Sequence, residues 1–138
     1  MRKLYFILFL FAVSCAKQAP EDMIPMLNGY WEIEEVVKPG GEKIKFEINE
    51  TVDYIHIVDS TGFRTKLKPQ LDGTYEDTES KEGLKVKVEN DSLKIYYTTL
   101  YNNWSETVLN ASEESFEVIN DRNIKYKYKK FTPINVTQ

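Results

Sequence analysis

The sequence predicts an all-β protein, an antiparallel up-and-down meander of about 8–10 strands closed into a barrel. Short runs alternating apolar and polar residues recur from Leu27 to Phe131, with turn residues between them. Their spacing, roughly 8–12 residues, is that of sandwiches and barrels. No stretch carries a helical period, and no gap leaves room for a crossover helix, so every connection reads as a hairpin. A long meander protects its edge strands best by closing on itself.

The elements follow in order. Leu27-Asn28-Gly29-Tyr30-Trp31 opens the first strand, in which Trp31 and Ile33 alternate with glutamates. Pro39-Gly40-Gly41 makes a turn into EKIKFEI, with Ile44, Phe46 and Ile48 on one face. VDYIHIV (52–58) is apolar on both parities and reads as covered on both sides. Ser60-Thr61-Gly62 turns into FRTKL, and Asp72-Gly73 into TYEDT. LKVKV (84–88) sets Leu84, Val86 and Val88 against lysines. Asn90-Asp91 leads to LKIYYTTLY, Asn102-Asn103 to WSETVL, then SFEVI (115–119). The last strand, IKYKYKKF, opposes Ile124, Tyr126 and Tyr128 to Lys125, Lys127 and Lys129.

The chain begins with Arg2 and Lys3, followed by an apolar run of ten residues, Leu4 to Val13. A membrane span needs roughly 20 residues, so this run suits an export signal instead. Cys15 is the only cysteine, which rules out an internal disulfide framework. Ala12-Val13-Ser14-Cys15 resembles a bacterial lipobox, in which the cysteine is acylated, with palmitate among the chains, and becomes the first mature residue. The division expected is a signal peptide over 1–14, lipidated Cys15 and a tether over 15–26, a barrel over 27–131, and a tail over 132–138. The alternative is a eukaryotic secretory signal, to which the sequons at Asn49, Asn90, Asn103, Asn110 and Asn135 lend some support. Ala16, where an aspartate would resemble an inner-membrane retention signal, points to the outer membrane.

Removal of residues 1–14 leaves 124 residues and moves the net charge from −4 to −6. That size bounds the chain to one domain, and the negative balance excludes a nucleic-acid partner, which calls for a basic patch. His56 is the only histidine, and no nucleophile motif, phosphate loop or cluster of metal ligands accompanies it. The paired carboxylates Glu34-Glu35 and Glu113-Glu114 read as solvated faces or turns. The sequence therefore predicts no enzyme and no cofactor.

The pattern is similar to the lipocalin superfamily, and most closely to the lipocalin-like lipoproteins of the Bacteroidetes. Leu27-Asn28-Gly29-Tyr30-Trp31 matches an LxGxW-type entry. Asp72-Gly73-Thr74-Tyr75 matches the hairpin habit, and Tyr126-Lys127-Tyr128-Lys129-Lys130-Phe131 matches the Tyr- and Lys-rich closing strand. The resemblance covers about residues 27–131. It implies a lipocalin-like barrel with Trp31 as its floor, covered by a basic residue from the end of the chain, for which Arg122, Lys129 and Lys130 are the candidates. Lipocalins also carry a helix before the last strand. The run after Leu109, NASEESFEV, is too short and polar to form one.

The function expected is a membrane-anchored, non-catalytic protein that takes a small apolar ligand into the barrel. The alternative is an envelope interaction protein that holds a partner protein with its rim or outer face. Tyr97, Tyr101, Trp104 and Arg64 are the candidate ligand-binding residues. Leu93, Ile95 and Tyr97 share a parity that Thr99 and Tyr101 continue, so an inward Tyr97 would place both tyrosine hydroxyls near the open end. Phe63 and Leu67 share the parity expected to be buried, which turns Arg64 outward and predicts a neutral ligand, not a fatty acid held by Arg64. Tyr101 to Trp104 at a hairpin tip would also suit a protein contact.

Overall fold

Pro20 has its φ fixed and no amide hydrogen to lose, which suits a first helical turn. It opens a short helix, α1 (Pro20–Met23), that runs into a 3₁₀ turn (Ile24–Leu27). A computed structural model describes residues 17–133. The expected export signal and lipidated Cys15 lie outside the described residues, as does the expected tail beyond residue 133. The segment expected to be only a tether is partly structural. Met23 and Leu27 are buried in the main apolar cluster, where they plug one end of the barrel. Just before the helix, Gln18 pairs with the backbone of Ala111, donating to its carbonyl at 2.7 Å and accepting from its amide at 3.2 Å.

The strands are β1 (Gly29–Val37), β2 (Lys43–Lys45), β3 (Val52–Val58), β4 (Thr61–Pro69), β5 (Tyr75–Asp77), β6 (Glu82–Glu89), β7 (Ser92–Thr98), β8 (Asn103–Ala111), β9 (Ser115–Asn120) and β10 (Lys125–Lys130). All pairings are antiparallel. The order runs β10-β9-β8-β7-β6-β4-β3-β1, and pairing of β10 with β1 closes it into an eight-stranded barrel. β2 and β5 are side arms on β1 and β4. The expected strand EKIKFEI shrinks to its first half, because Ile44 and Phe46 are partly exposed and Ile48 lies free in solvent. Among the described residues no helix lies between β8 and β10; β8 turns directly into β9.

Alternation decides which residues enter the barrel. β3 sends Asp53, Ile55 and Ile57 inward, while His56 and Val58 face solvent. The double coverage expected of this strand is therefore confined to its first residues, Val52 and Asp53, both buried. Gly62 lies opposite Ile57, and a Cβ there would overlap the His56 carbonyl oxygen, so the β3–β4 hairpin needs glycine at this point. One extra residue in β1 shifts its register against β10 between Ile33 and Glu35. The bulge frees the Glu34 carbonyl to accept from the Phe46 amide at 2.9 Å.

The two ends of the interior differ. The plugged end holds Leu27, Trp31, Ile55, Ile57, Leu93, Ile95, Val108, Phe116 and Val118 in one apolar cluster. Trp31 is 2% exposed, and its indole nitrogen donates to the Leu27 carbonyl at 2.9 Å. Its ring meets Phe116 edge-on at 4.8 Å. No basic side chain caps this indole among the described residues. Lys129 instead pairs with Glu32 at 3.3 Å, and Arg122 lines a cavity at the opposite end. The cover over Trp31 is the apolar N-terminal plug. Outside the barrel, Tyr30 stacks between Tyr54 and Tyr75 with centroids 4.6 and 4.7 Å away, and Phe63 and His56 extend this aromatic face.

Candidate functional site

The other end of the barrel is polar inside. Arg64 projects inward from β4 opposite Ile55, whereas Phe63 faces out beside His56 and Tyr54. This reverses the orientation expected from the sequence. The apolar parity of Phe63 and Leu67 is used on the outer face, where the Tyr54 and His56 rings cover Phe63 and Lys81 stands 4.0 Å above it.

The inward guanidinium is held by neighbours from three strands. Its Nε donates to Glu82 Oε2 at 2.9 Å, and Nη2 lies 2.6 Å from the same oxygen. Nη1 donates to the Tyr97 hydroxyl at 3.2 Å, and the guanidinium carbon lies 4.2 Å from the Tyr97 ring centroid. The Glu106 carboxylate stands 3.6 Å from Nη1, beyond a good hydrogen bond. A second pair, Lys66 with Asp53 at 2.9 Å, flanks the first. Burial pushes the Glu106 carboxyl above its ordinary range, with the Arg64 charge pulling it back only in part. Burial likewise pushes the Tyr97 and Tyr128 phenols up, so both remain neutral.

Two cavities open around these groups. One, of about 390 Å³, is lined by Arg64, Trp104, Glu106, Asn120, Tyr126 and Tyr128, with rim residues from the turns at 102 and 121–122. The other, of about 260 Å³, lies towards β1 and β3 and includes Ile33, Val36, Asp53 and Lys66. Tyr126 and Tyr128 line both. The hydrogen bonds of the cluster run between Arg64, Glu82 and Tyr97 and leave both of those tyrosine hydroxyls unused. A groove of about 410 Å³ lies outside the barrel against Pro69, Leu71, Tyr75 and Phe131. It holds no buried polar group.

The chain belongs to the lipocalin-like domain family. The model of that family matches residues 27–118, from the LxGxW entry into β9. Two solved structures are similar to this lipocalin-like protein. One is a lipocalin-like protein from Bacteroides uniformis, 12% identical, covering 77% of this chain and 99% of its own with a TM-score of 0.49. The other is an uncharacterized protein from Bacteroides eggerthii, 14% identical, covering 75% of this chain and 98% of its own with a TM-score of 0.47. No curated protein sequence matches.

Of the four ligand-binding candidates, the structure brings three together. Tyr97 is buried, Trp104 stacks on it at 5.3 Å, and Arg64 bonds to its hydroxyl. Tyr101 stands apart: it is 95% exposed in the β7–β8 turn and lines neither cavity. β7 ends at Thr98, where Thr99 turns the chain by bonding to Asn102, so the alternation does not continue to Tyr101. The sequence reading missed Glu106, Glu82 and Asp53, and did not place Tyr126 and Tyr128 among the four ligand-binding candidates. The signal for Glu106 was its position two residues from both Trp104 and Val108 on one strand face.

Proposed function

We propose that this lipocalin-like protein is a lipid-anchored envelope protein that takes a small molecule into the open half of its barrel and does no chemistry on it. The carrying observation is the pair of cavities that share Tyr126 and Tyr128. The larger has the size of a small-molecule site, for which about 300 Å³ is the lower bound. A lipocalin-like barrel favours a ligand with an apolar body. The lining of Trp104, Tyr126 and Tyr128 suits a ring better than an alkyl chain, and the charged groups beside them suit a polar substituent. Absence of catalysis is supported by the exposed position of His56 on the outer face, away from the cavities. The anchor is supported by the lone Cys15 after an apolar leader, and the outer membrane by Ala16.

Native mass spectrometry of the purified protein, with titration of a fluorescent fatty-acid probe, tests the binding reading. A retained molecule or saturable probe binding supports it; an empty protein that ignores the probe refutes it. The second reading, a partner protein held at the rim, draws on Leu100 and Tyr101, both almost fully exposed in the β7–β8 turn. It predicts that Tyr101→Ser abolishes capture of an envelope protein without changing probe binding.

A further inference from the structure

Charge pairing inside the open half leaves one carboxylate over. Asp53 has Lys66 at 2.9 Å, and Glu82 has Arg64 at 2.6 and 2.9 Å. Glu106 has as counter-ion only the far side of the same guanidinium at 3.6 Å, with the neutral Tyr97 hydroxyl beside it, although it is just 6% exposed. A buried carboxylate without its own counter-ion is costly. Here it lies on the wall of the 390 Å³ cavity, and the Trp104, Tyr126 and Tyr128 rings stand on the same wall. Tyr128, on the same wall, is only 8% exposed, and the hydrogen bonds of the cluster do not use its hydroxyl. At the rim, Asp121 and Arg122 offset each other.

An aromatic wall around a carboxylate is the surrounding a cation selects, because ring faces attract positive charge by about 0.5–2 kcal/mol and more when water is excluded. An anionic head group would have to approach the Glu106 carboxylate, and the guanidinium beside it is already engaged by Glu82 and Tyr97.

Building on the binding function proposed above, we propose that the ligand is an organic cation: a small aromatic or alicyclic amine whose ammonium sits at Glu106 and whose ring packs against Trp104, Tyr126 and Tyr128. The ammonium supplies the counter-charge that Arg64 shares out too thinly, and the Tyr128 hydroxyl accepts a second hydrogen bond from it.

The test is calorimetric titration of the purified full chain with three probes of one shape: 2-phenylethylamine, 2-phenylethanol and 3-phenylpropionate. The amine is expected to bind at least about tenfold more tightly than the alcohol, a difference of about 1.4 kcal/mol, with the carboxylate weakest. Glu106→Gln is expected to cancel the lead of the amine. Equal or tighter binding of the alcohol or the carboxylate to the unaltered protein overturns the cation and leaves the binding function intact. Failure of all three probes, in a protein that retains no molecule and ignores the fatty-acid probe, overturns both. The probe ranking is read on the unaltered protein, so it stands even if the variant does not fold.

Discussion

The guanidinium carbon of Arg64 lies 4.2 Å from the centroid of the Tyr97 ring, and Nη1 of the same group donates to the hydroxyl of that ring at 3.2 Å. Arg64 thus joins β4 to β7 through one aromatic side chain while pairing with Glu82 on β6. Arg64→Ala strands two carboxylates inside the barrel. Removal of one partner of a buried pair costs about 3–5 kcal/mol, and the thermal midpoint is expected to fall by roughly 10 °C or more. Adding Glu82→Ala to that variant should recover part of the loss, because the two sites share one interaction. Strict additivity in the double variant would show that the pair is not coupled.

Trp31 fills the plugged end. Trp31→Ala is expected to cost about 3–5 kcal/mol, the range for deletion of a buried large aromatic, against a total stability of roughly 5–15 kcal/mol. Trp31→Phe keeps part of the packing and loses the hydrogen bond to Leu27, so its midpoint should fall between the two. Chemical denaturation checks both, and an unchanged midpoint for Trp31→Ala would remove Trp31 from the core.

Glu106 should leave a signature in the pH dependence of stability. Arg64, Glu82, Asp53, Tyr97 and its own burial act on it, and its carboxyl is raised above 4.5 in the folded state. A group that binds its proton more tightly when folded contributes stability that is complete below its unfolded pKa and is lost as pH rises through the folded value. The midpoint of the unliganded protein should therefore decline relative to Glu106→Gln as pH climbs from about 4.5 through the raised value, since the glutamine cannot ionise. Superimposable pH profiles for the two proteins would show that Glu106 is not desolvated.

The address is a matter of one atom. Mass spectrometry of the mature N-terminus is expected to find Cys15 as the first residue, carrying acyl chains. Cleavage elsewhere, or a free thiol, would refute the anchor.

Much of the fold was legible because strand alternation and turn residues are local signals. The β6–β7 hairpin shows this: Leu84 and Val86 share one parity, Leu93, Ile95 and Tyr97 another, and each set enters the barrel together. The site was legible only in pieces. Arg64 was misplaced because period 2 reports that Phe63 and Arg64 oppose each other without reporting which side is inside. Phe63 finds its cover in Tyr54, His56 and Lys81, none of them near it in sequence. Met23 was lost to the tether because a two-turn plug is shorter than any helical period can reveal. Glu106 was overlooked although it shares a strand face with Trp104 and Val108, because a glutamate between two apolar residues reads as a break in the face and not as part of the interior.

The Gln18 clasp on Ala111 has a consequence for how the barrel stands on a membrane. If Cys15 bears the lipid, only two residues, Ala16 and Lys17, separate it from a side chain fastened to the plugged end, a leash of at most about 11 Å. So short a leash sets the closed base of the barrel close to the headgroups and points its mouth away from the bilayer. Such a barrel cannot draw its cargo directly from the lipid beneath it. Its cargo must arrive from the aqueous side, which agrees better with a water-soluble amine than with a fatty acid.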